Sequence, residues 1–201
     1  MKDKVIVISG ASSGIGKIAA IHLSQKGAKC VLIGRNIERL QEVQSNCINE
    51  TLIVCKDLID FNSYDDIFET IFNKFGKING FIHSAGIEQT IPIQQLNVDK
   101  LNDIFQINVF SSIEFIKRLM KKKYKADNQS YVIISSVMGV VGNKGLVSYS
   151  ASKGAVISMV KSMALELASK GIRVNCISPG HLKDSEMSVN KEAKLSIEAN
   201  E

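Results

Sequence analysis

Tyr149 and Lys153 stand four positions apart in SYSASKGAV, residues 148–156, with only Ser150, Ala151 and Ser152 between them. On an α-helix, residues i and i+4 are about 40° apart in azimuth and about 6 Å apart along the axis, so the two side chains project together. A free phenol titrates at about pH 10 and is a poor proton shuttle at neutrality. A nearby ammonium stabilises the phenolate and draws that value towards working pH, whereas burial alone raises it. Such a pair suits ketone reduction. As hydride reaches the carbonyl carbon, the oxygen becomes an alkoxide and takes a proton from Tyr149; in reverse, Tyr149 accepts the proton of an alcohol.

Y-x-x-x-K alone occurs in many helices by chance, so its company matters. Ser136 lies thirteen positions earlier (149 − 136), where its hydroxyl can hold a substrate oxygen. Asn108 sits within FQINVF, and an amide among Phe105, Ile107, Val109 and Phe110 needs partners. A water linked to Lys153 would suit it. A kink-stabilising asparagine is the plainer alternative.

These residues must be held by a framework, and the periodicity predicts one. Short β-branched runs at 5–9, 30–33, 52–55, 80–84, 131–135 and 173–177 alternate with amphipathic stretches at 15–26, 37–47, 64–75, 100–121 and 148–170. The runs lack strict polar alternation, so they are buried on both faces, and strand–helix alternation gives a parallel sheet through right-handed crossovers. The expectation is one doubly wound α/β domain over residues 1–201. Its ligand would sit beyond the carboxyl ends of the strands, where strand order reverses.

After the first predicted strand comes SGASSGIGK, residues 9–17, with Gly10, Gly14 and Gly16 spaced G-x-x-x-G-x-G before a helix. Missing β-carbons admit a pyrophosphate to the backbone, and the helix amino terminus offers N–H groups and positive dipole. Gly10, Ser12, Ser13, Gly14, Ile15 and Gly16 are the candidate cradle. The same letters fit G-x-S-x-G, the elbow of a serine hydrolase, with Ser12 as nucleophile and Asp57 and His181 following in hydrolase order. That alternative leaves Gly16, Tyr149 and Lys153 unused. After the second predicted strand, Gly34-Arg35-Asn36 places a guanidinium where NAD enzymes usually carry an acidic residue for the ribose. Arg35 suits a 2′-phosphate and points to NADP(H) rather than NAD(H).

With these motifs in this order, the chain resembles the short-chain dehydrogenase/reductase family from Lys4 to about Pro179. The resemblance rests on Gly10/Gly14/Gly16, Asp57, Ala85-Gly86, Asn108, Ser136, Tyr149/Lys153 and Pro179-Gly180. It implies a Rossmann-like fold and a catalytic set of Asn108, Ser136, Tyr149 and Lys153. It also implies that Asp57, with Leu58 beside it, meets the adenine, that Lys153 meets the nicotinamide ribose, and that the backbone near Leu182 meets the carboxamide. Where the family usually has Asn-Asn-Ala-Gly, this chain has His83-Ser84-Ala85-Gly86. His83 is therefore expected to be a structural neighbour of the cofactor. The threonine often found after Pro-Gly is missing, leaving Ser185 or Asp184 as substitutes. Members of the family run to roughly 250 residues, with a further strand and helix that build dimers and tetramers. An abbreviated chain end and a homo-oligomer of the full-length protein are the corresponding expectations.

Within the family, SSVMGVVGNKGLVSYSASK is similar to the catalytic stretch of 3-oxoacyl-acyl-carrier-protein reductases. Val137, Met138, Val140 and Val141 offer an apolar wall for an acyl group. A sugar or polyketide-type carbonyl stays open as substrate, as does a dinucleotide-binding protein without turnover.

Composition excludes other classes. Hydrophobic residues are 45% and charged residues 22%, as in an ordinary globular protein. No apolar run approaches the roughly 20 residues of a membrane helix, and residues 4–8 are too short for a secretory core. Cys30, Cys47, Cys55 and Cys176 are far apart, and His22, His83 and His181 are isolated, so no metal site is expected. Cys30, Cys55 and Cys176 lie in apolar runs as free thiols, which predicts a reduced, cytoplasmic protein. The net charge is +5, part of it in the cluster at 121–125. A solvated helix end or a dock for an acidic carrier protein accounts for it, with nucleic acid a remote option.

Overall fold

The computed structural model describes residues 1–181. Six strands form one parallel sheet: β1 (Val5–Ser9), β2 (Lys29–Gly34), β3 (Thr51–Cys55), β4 (Ile78–His83), β5 (Lys125–Ile134) and β6 (Arg173–Ile177). Their order is β3-β2-β1-β4-β5-β6, so the chain winds outwards from β1, returns to β4 and winds the other way. The crossovers are α1 (Gly14–Gln25), α2 (Ile37–Ser45), α3 (Tyr64–Phe75), α4 (Val98–Phe105), α5 (Ser111–Leu119), α6 (Met138–Val141) and α7 (Val147–Ala168).

Alternation along β1 feeds two cores. Ile6 and Ile8 pack with Leu32, Ala20, Leu40 and Val43 beneath α1 and α2. Val5 and Val7 pack with Phe81, Tyr131 and side chains of α3, α5 and α7. Helices thus cover both faces, and β1 is buried along its whole length and apolar from Val5 to Ile8 because neither face meets water. Phe81 and Phe115 stack with ring centroids 4.5 Å apart at the centre of the larger core.

Three local features depart from expectation. The predicted helix over 100–121 is interrupted by a π turn, Gln106–Phe110, between α4 and α5. β5 begins six residues early, since Lys125 pairs with Ile78 before a register shift brings Ser130 opposite Gly80. Cys55 is exposed at the end of the edge strand β3, whereas Cys30 is buried, and its surroundings raise its thiol pKa to about 12.

The basic cluster is not a free patch. Lys121 pairs with Asp65 at 2.9 Å, Lys123 with Glu69, and Arg118 with Glu114 at 3.0 Å. Asp65 and Glu69 come from α3, so Lys121 and Lys123 tie the turn after α5 to that helix. Among the described residues no helix is long and apolar enough to cross a membrane, and no group of His, Cys, Asp and Glu could hold a metal ion.

Candidate active site

The switch point lies between β1 and β4, and there the chain leaves both strands through tight backbone. Gly10 has φ of +67°, and a Cβ on it would lie 2.6 Å from the Ala85 nitrogen. A Cβ on Gly16 would overlap the Gly10 carbonyl and the Ser84 hydroxyl. Gly16 therefore does not line the cavity; it lets α1 press against the turn. Gly14 faces open space, with nothing within 4 Å of the Cβ position. Ser13 is the extended N-cap of α1, and among the described residues no side chain caps that end. The first-turn N–H groups and the dipole suit an anion, and Ser12, Ser13, Gly14 and Ile15 all line the cavity in front of them.

The cavity holds about 760 Å³ and follows the carboxyl ends of all six strands. Five strand spacings make that about 24 Å, an extended trough suited to a dinucleotide. Beyond β2 and β3 it is lined by Arg35, Arg39, Lys56, Asp57 and Leu58. Arg35 reaches across to Asp57, with Nη1 3.6 Å from Oδ2. The Asn36 side chain accepts a hydrogen bond from the Arg39 nitrogen at 2.8 Å, capping α2 and fixing its first turn at the cavity edge.

At the other end the cavity is walled by Ser136, Met138, Tyr149 and Lys153. Lys153 is 5% exposed, and Nζ donates to the Ile134 carbonyl at 2.9 Å. Burial pushes its pKa down to about 8. Its backbone is gripped too. Ser135 Oγ donates to the Lys153 carbonyl at 2.8 Å, and Gly139 of α6 sits so close that a Cβ there would lie 2.7 Å from that carbonyl carbon.

Tyr149 and Lys153 share a helix face, as their spacing predicts, with Nζ 5.7 Å from the ring centroid. The electrostatics differ from expectation. Burial holds the Tyr149 phenol above its ordinary value, a hydrogen bond with Ser136 pulls it down, and the Glu88 carboxylate pushes it up again. The ammonium lies over the ring and is engaged with Ile134, so in this state Ser136 is the neighbour that favours the phenolate.

Asn108 does not line the cavity, and its amide makes three hydrogen bonds. Oδ1 accepts from the Ile87 nitrogen at 2.9 Å, while Nδ2 donates to the Ile87 carbonyl and to Ser152 Oγ, each at 3.0 Å. The π turn aims this side chain at the loop after β4. Gly86 is the spacer between Asn108 and Lys153: a Cβ there would lie 3.0 Å from Asn108 Oδ1 and 3.3 Å from Lys153 Nζ. His83 is also outside the cavity lining. Nδ1 meets Ser9 Oγ at 2.8 Å and Nε2 meets Ser111 Oγ at 3.4 Å, joining β1, β4 and the start of α5. Burial, with Lys153 nearby, lowers its pKa to about 3, so it is neutral.

Ala85, Gly86, Pro179 and Gly180 all line the cavity, and the Pro179 carbonyl accepts from the Val137 nitrogen at 2.9 Å. Leu182, Asp184 and Ser185 lie outside the described residues.

The description of the short chain dehydrogenases matches this chain over residues 4–196. The chain belongs to the short-chain dehydrogenase family. An uncharacterized oxidoreductase of Staphylococcus epidermidis is 32% identical over 180 residues, covering 90% of this chain and 78% of that protein. A 3-oxoacyl-acyl-carrier-protein reductase of Buchnera aphidicola is 32% identical over 183 residues, covering 91% and 75%. Among solved structures, NAD⁺-bound xylitol dehydrogenase aligns with TM-score 0.87 at 28% identity, covering 94% of this chain and 75% of that one. A short-chain dehydrogenase from Shigella flexneri complexed with NADP aligns at 0.80 and 31%, covering 90% and 78%.

As a short-chain dehydrogenase, this protein is an oxidoreductase acting between alcohol and carbonyl in a fold that binds a nicotinamide cofactor. The open turn at Gly14 and the uncapped start of α1 fit that cofactor's diphosphate. Ser12, Asp57 and His181 also line the cavity, but the hydrolase alternative has no support in this family. Sequence reasoning missed Arg39, Lys56, Ile87 and Glu88. Arg39 was findable from its place one turn beyond Arg35, and Glu88 from its place two residues after Gly86.

Proposed function

We propose that this short-chain dehydrogenase is an NADP(H)-dependent reductase of ketones, with a 3-oxoacyl thioester as substrate and residues 1–201 as one catalytic domain. The observation carrying this reading is a single trough with a buried phenol and ammonium at one end and guanidinium groups at the other. When bound, the nicotinamide supplies the hydride to a carbonyl carbon or accepts it from an alcohol. Tyr149 Oη gives the carbonyl oxygen its proton, and Ser136 Oγ holds that oxygen beside the phenol. Lys153, anchored on the Ile134 carbonyl, holds the nicotinamide ribose. Asn108 is a positioning residue, because it acts through Ile87 and Ser152. Leu146, Ile87 and Met138 pack around Tyr149, so water reaches the phenol only from the cavity that the substrate fills.

The NADP(H) preference is supported by Arg35, with Arg39 and Lys56 lining the same end of the trough. The thioester is supported by the reductase named above and by Val137 and Met138 in the cavity wall. Glu88 favours a second reading, a hydroxylated carbonyl such as a sugar, in line with the likeness to xylitol dehydrogenase.

The test is NADPH-dependent reduction of an acetoacetyl thioester. Tyr149→Phe should lower kcat by about 10³-fold while leaving NADPH binding intact; equal rates in the two proteins overturn the mechanism. Arg35→Ala should weaken NADPH about tenfold and leave NADH nearly unchanged. A wild-type protein that binds NADH as tightly as NADPH overturns the cofactor assignment.

A further inference from the structure

We infer that Ser152 is a positioning residue for Tyr149, tying the tyrosine's backbone, through Asn108, to the loop after β4. The inference rests on the reading of Tyr149 as proton donor and adds the residue that aims it. Ser152 is fully buried. Its Oγ donates to the Tyr149 carbonyl at 2.8 Å and accepts from Asn108 Nδ2 at 3.0 Å. The polarity of these bonds has one solution. The Ile87 N–H can only donate, so the amide oxygen of Asn108 faces it, and the amide nitrogen faces the Ile87 carbonyl and Ser152. Ser152 must therefore accept from Asn108, and its own proton goes to the Tyr149 carbonyl.

The contacts close into a ring. From the Ile87 backbone they run through Asn108 and Ser152 to the Tyr149 carbonyl. From the Tyr149 side chain they return to Ile87, which packs in the same apolar cluster. Tyr149 is thus held at its backbone and at its ring by one loop. A serine near Tyr149 is not enough for this: the hydroxyls of Ser148 and Ser150 are buried with no hydrogen-bond partner among the described residues. The serine that Asn108 reaches is the one that is engaged. A serine hydroxyl bonded to a carbonyl one turn back bends the local helix, so its loss re-aims the turn that carries the phenol. Misplacing a reacting group by about 1 Å costs about 10²-fold, and a smaller tilt costs correspondingly less.

Ser152→Ala tests this, because alanine fills nearly the same space without the hydroxyl. Ser112→Ala is its match. Ser112 is equally buried, and its Oγ donates to the Val109 carbonyl, also three residues back, at 2.7 Å, outside the ring of contacts. In NADPH-dependent reduction of an acetoacetyl thioester, kcat should fall about tenfold in Ser152→Ala with NADPH affinity unchanged, and stay within about twofold of wild type in Ser112→Ala. Because Asn108 acts through Ser152, the double variant Asn108→Ala/Ser152→Ala should be little slower than Asn108→Ala alone. Equal losses in the two serine variants, or losses that multiply in the double variant, overturn the assignment. If wild type reduces no thioester, the reductase reading falls, and Ser152 is judged by fluorine NMR of protein labelled with 3-fluorotyrosine. The chain has four tyrosines, and the Tyr149 resonance is the one that Tyr149→Phe removes. Ser152→Ala should shift that resonance and Ser112→Ala should not; a resonance that stays in place in Ser152→Ala, or shifts equally in both, overturns the positioning role.

Discussion

The two halves of the sheet make their part of the trough by different means. On the β1-β2-β3 side the floor is backbone: the turn at Gly10, the open Gly14, the start of α1. Side chains there are largely at the rim, as with Arg35, which is exposed. On the β4-β5-β6 side the working groups are buried side chains, and each is fixed by a polar group elsewhere in the chain. Lys153 is held by Ile134, Asn108 by Ile87, and His83 by hydroxyls from β1 and α5. The first half recognises a shape common to all dinucleotides. The second must hold particular atoms to within a fraction of an ångström, and a long side chain is held that well only when its far end is bonded.

If that contrast is right, the largest effect should come from a group that cannot take up its charge. His83 has a folded pKa of about 3 against an ordinary 6.5. Its folded pKa is depressed, so the folded state binds fewer protons, and stability falls as pH drops from 6.5 to 3. The loss reaches up to about 5 kcal/mol. His83→Asn should be less stable than wild type at pH 7 yet lose much less on acidification, as urea melts at pH 7 and pH 4 would show. Parallel losses in both proteins would mean that the buried half does not depend on this clamp.

Next comes Asn108→Ala, which strands the Ile87 N–H and the Ile87 carbonyl and leaves the Ser152 hydroxyl only its bond to the Tyr149 carbonyl. A cost of about 3 kcal/mol in denaturant unfolding is expected, together with a fall in kcat but not in NADPH affinity. In the backbone-built half, Gly16→Ala should cost about 2 kcal/mol by overpacking and Gly14→Ala about 1 kcal/mol through its φ of +51° alone. Thermal melts rank the two. Gly14→Ala should also weaken NADPH, since its new methyl points into the trough, whereas Gly16→Ala acts through the packing of α1. The reverse ranking would break the distinction between a glycine kept for packing and one kept for access.

Much of this was legible in the sequence, for a physical reason. Strands buried on both faces are apolar runs, and Val5 to Ser9 can be read without its partners. Tyr149 and Lys153 were legible because four residues on a helix fix their relation whatever surrounds it. What escaped depends on distant parts of the chain. The π turn at Gln106–Phe110 leaves no mark on the apolar periodicity. The Ile134 carbonyl that anchors Lys153 is a backbone atom nineteen positions away. The balance on the Tyr149 phenol depends on burial and on Glu88, neither of which the Y-x-x-x-K spacing contains. The cluster at 121–125 looked like a free basic patch because its partners, Asp65 and Glu69, belong to another helix.

The bulged turn around Asn108 holds one residue more than an α-helix would need between α4 and α5. Each residue of an α-helix advances the chain by about 100° of rotation. Deleting Gln106 would allow an unbroken, locally more comfortable helix from Val98 onwards. Because a π turn advances the chain by less per residue than an α turn, α4 and α5 would keep their faces, and only the side chains within the turn, the amide that grips Ile87 among them, would be re-aimed. A shortening that improves the helix as a helix would unfasten the loop carrying Glu88.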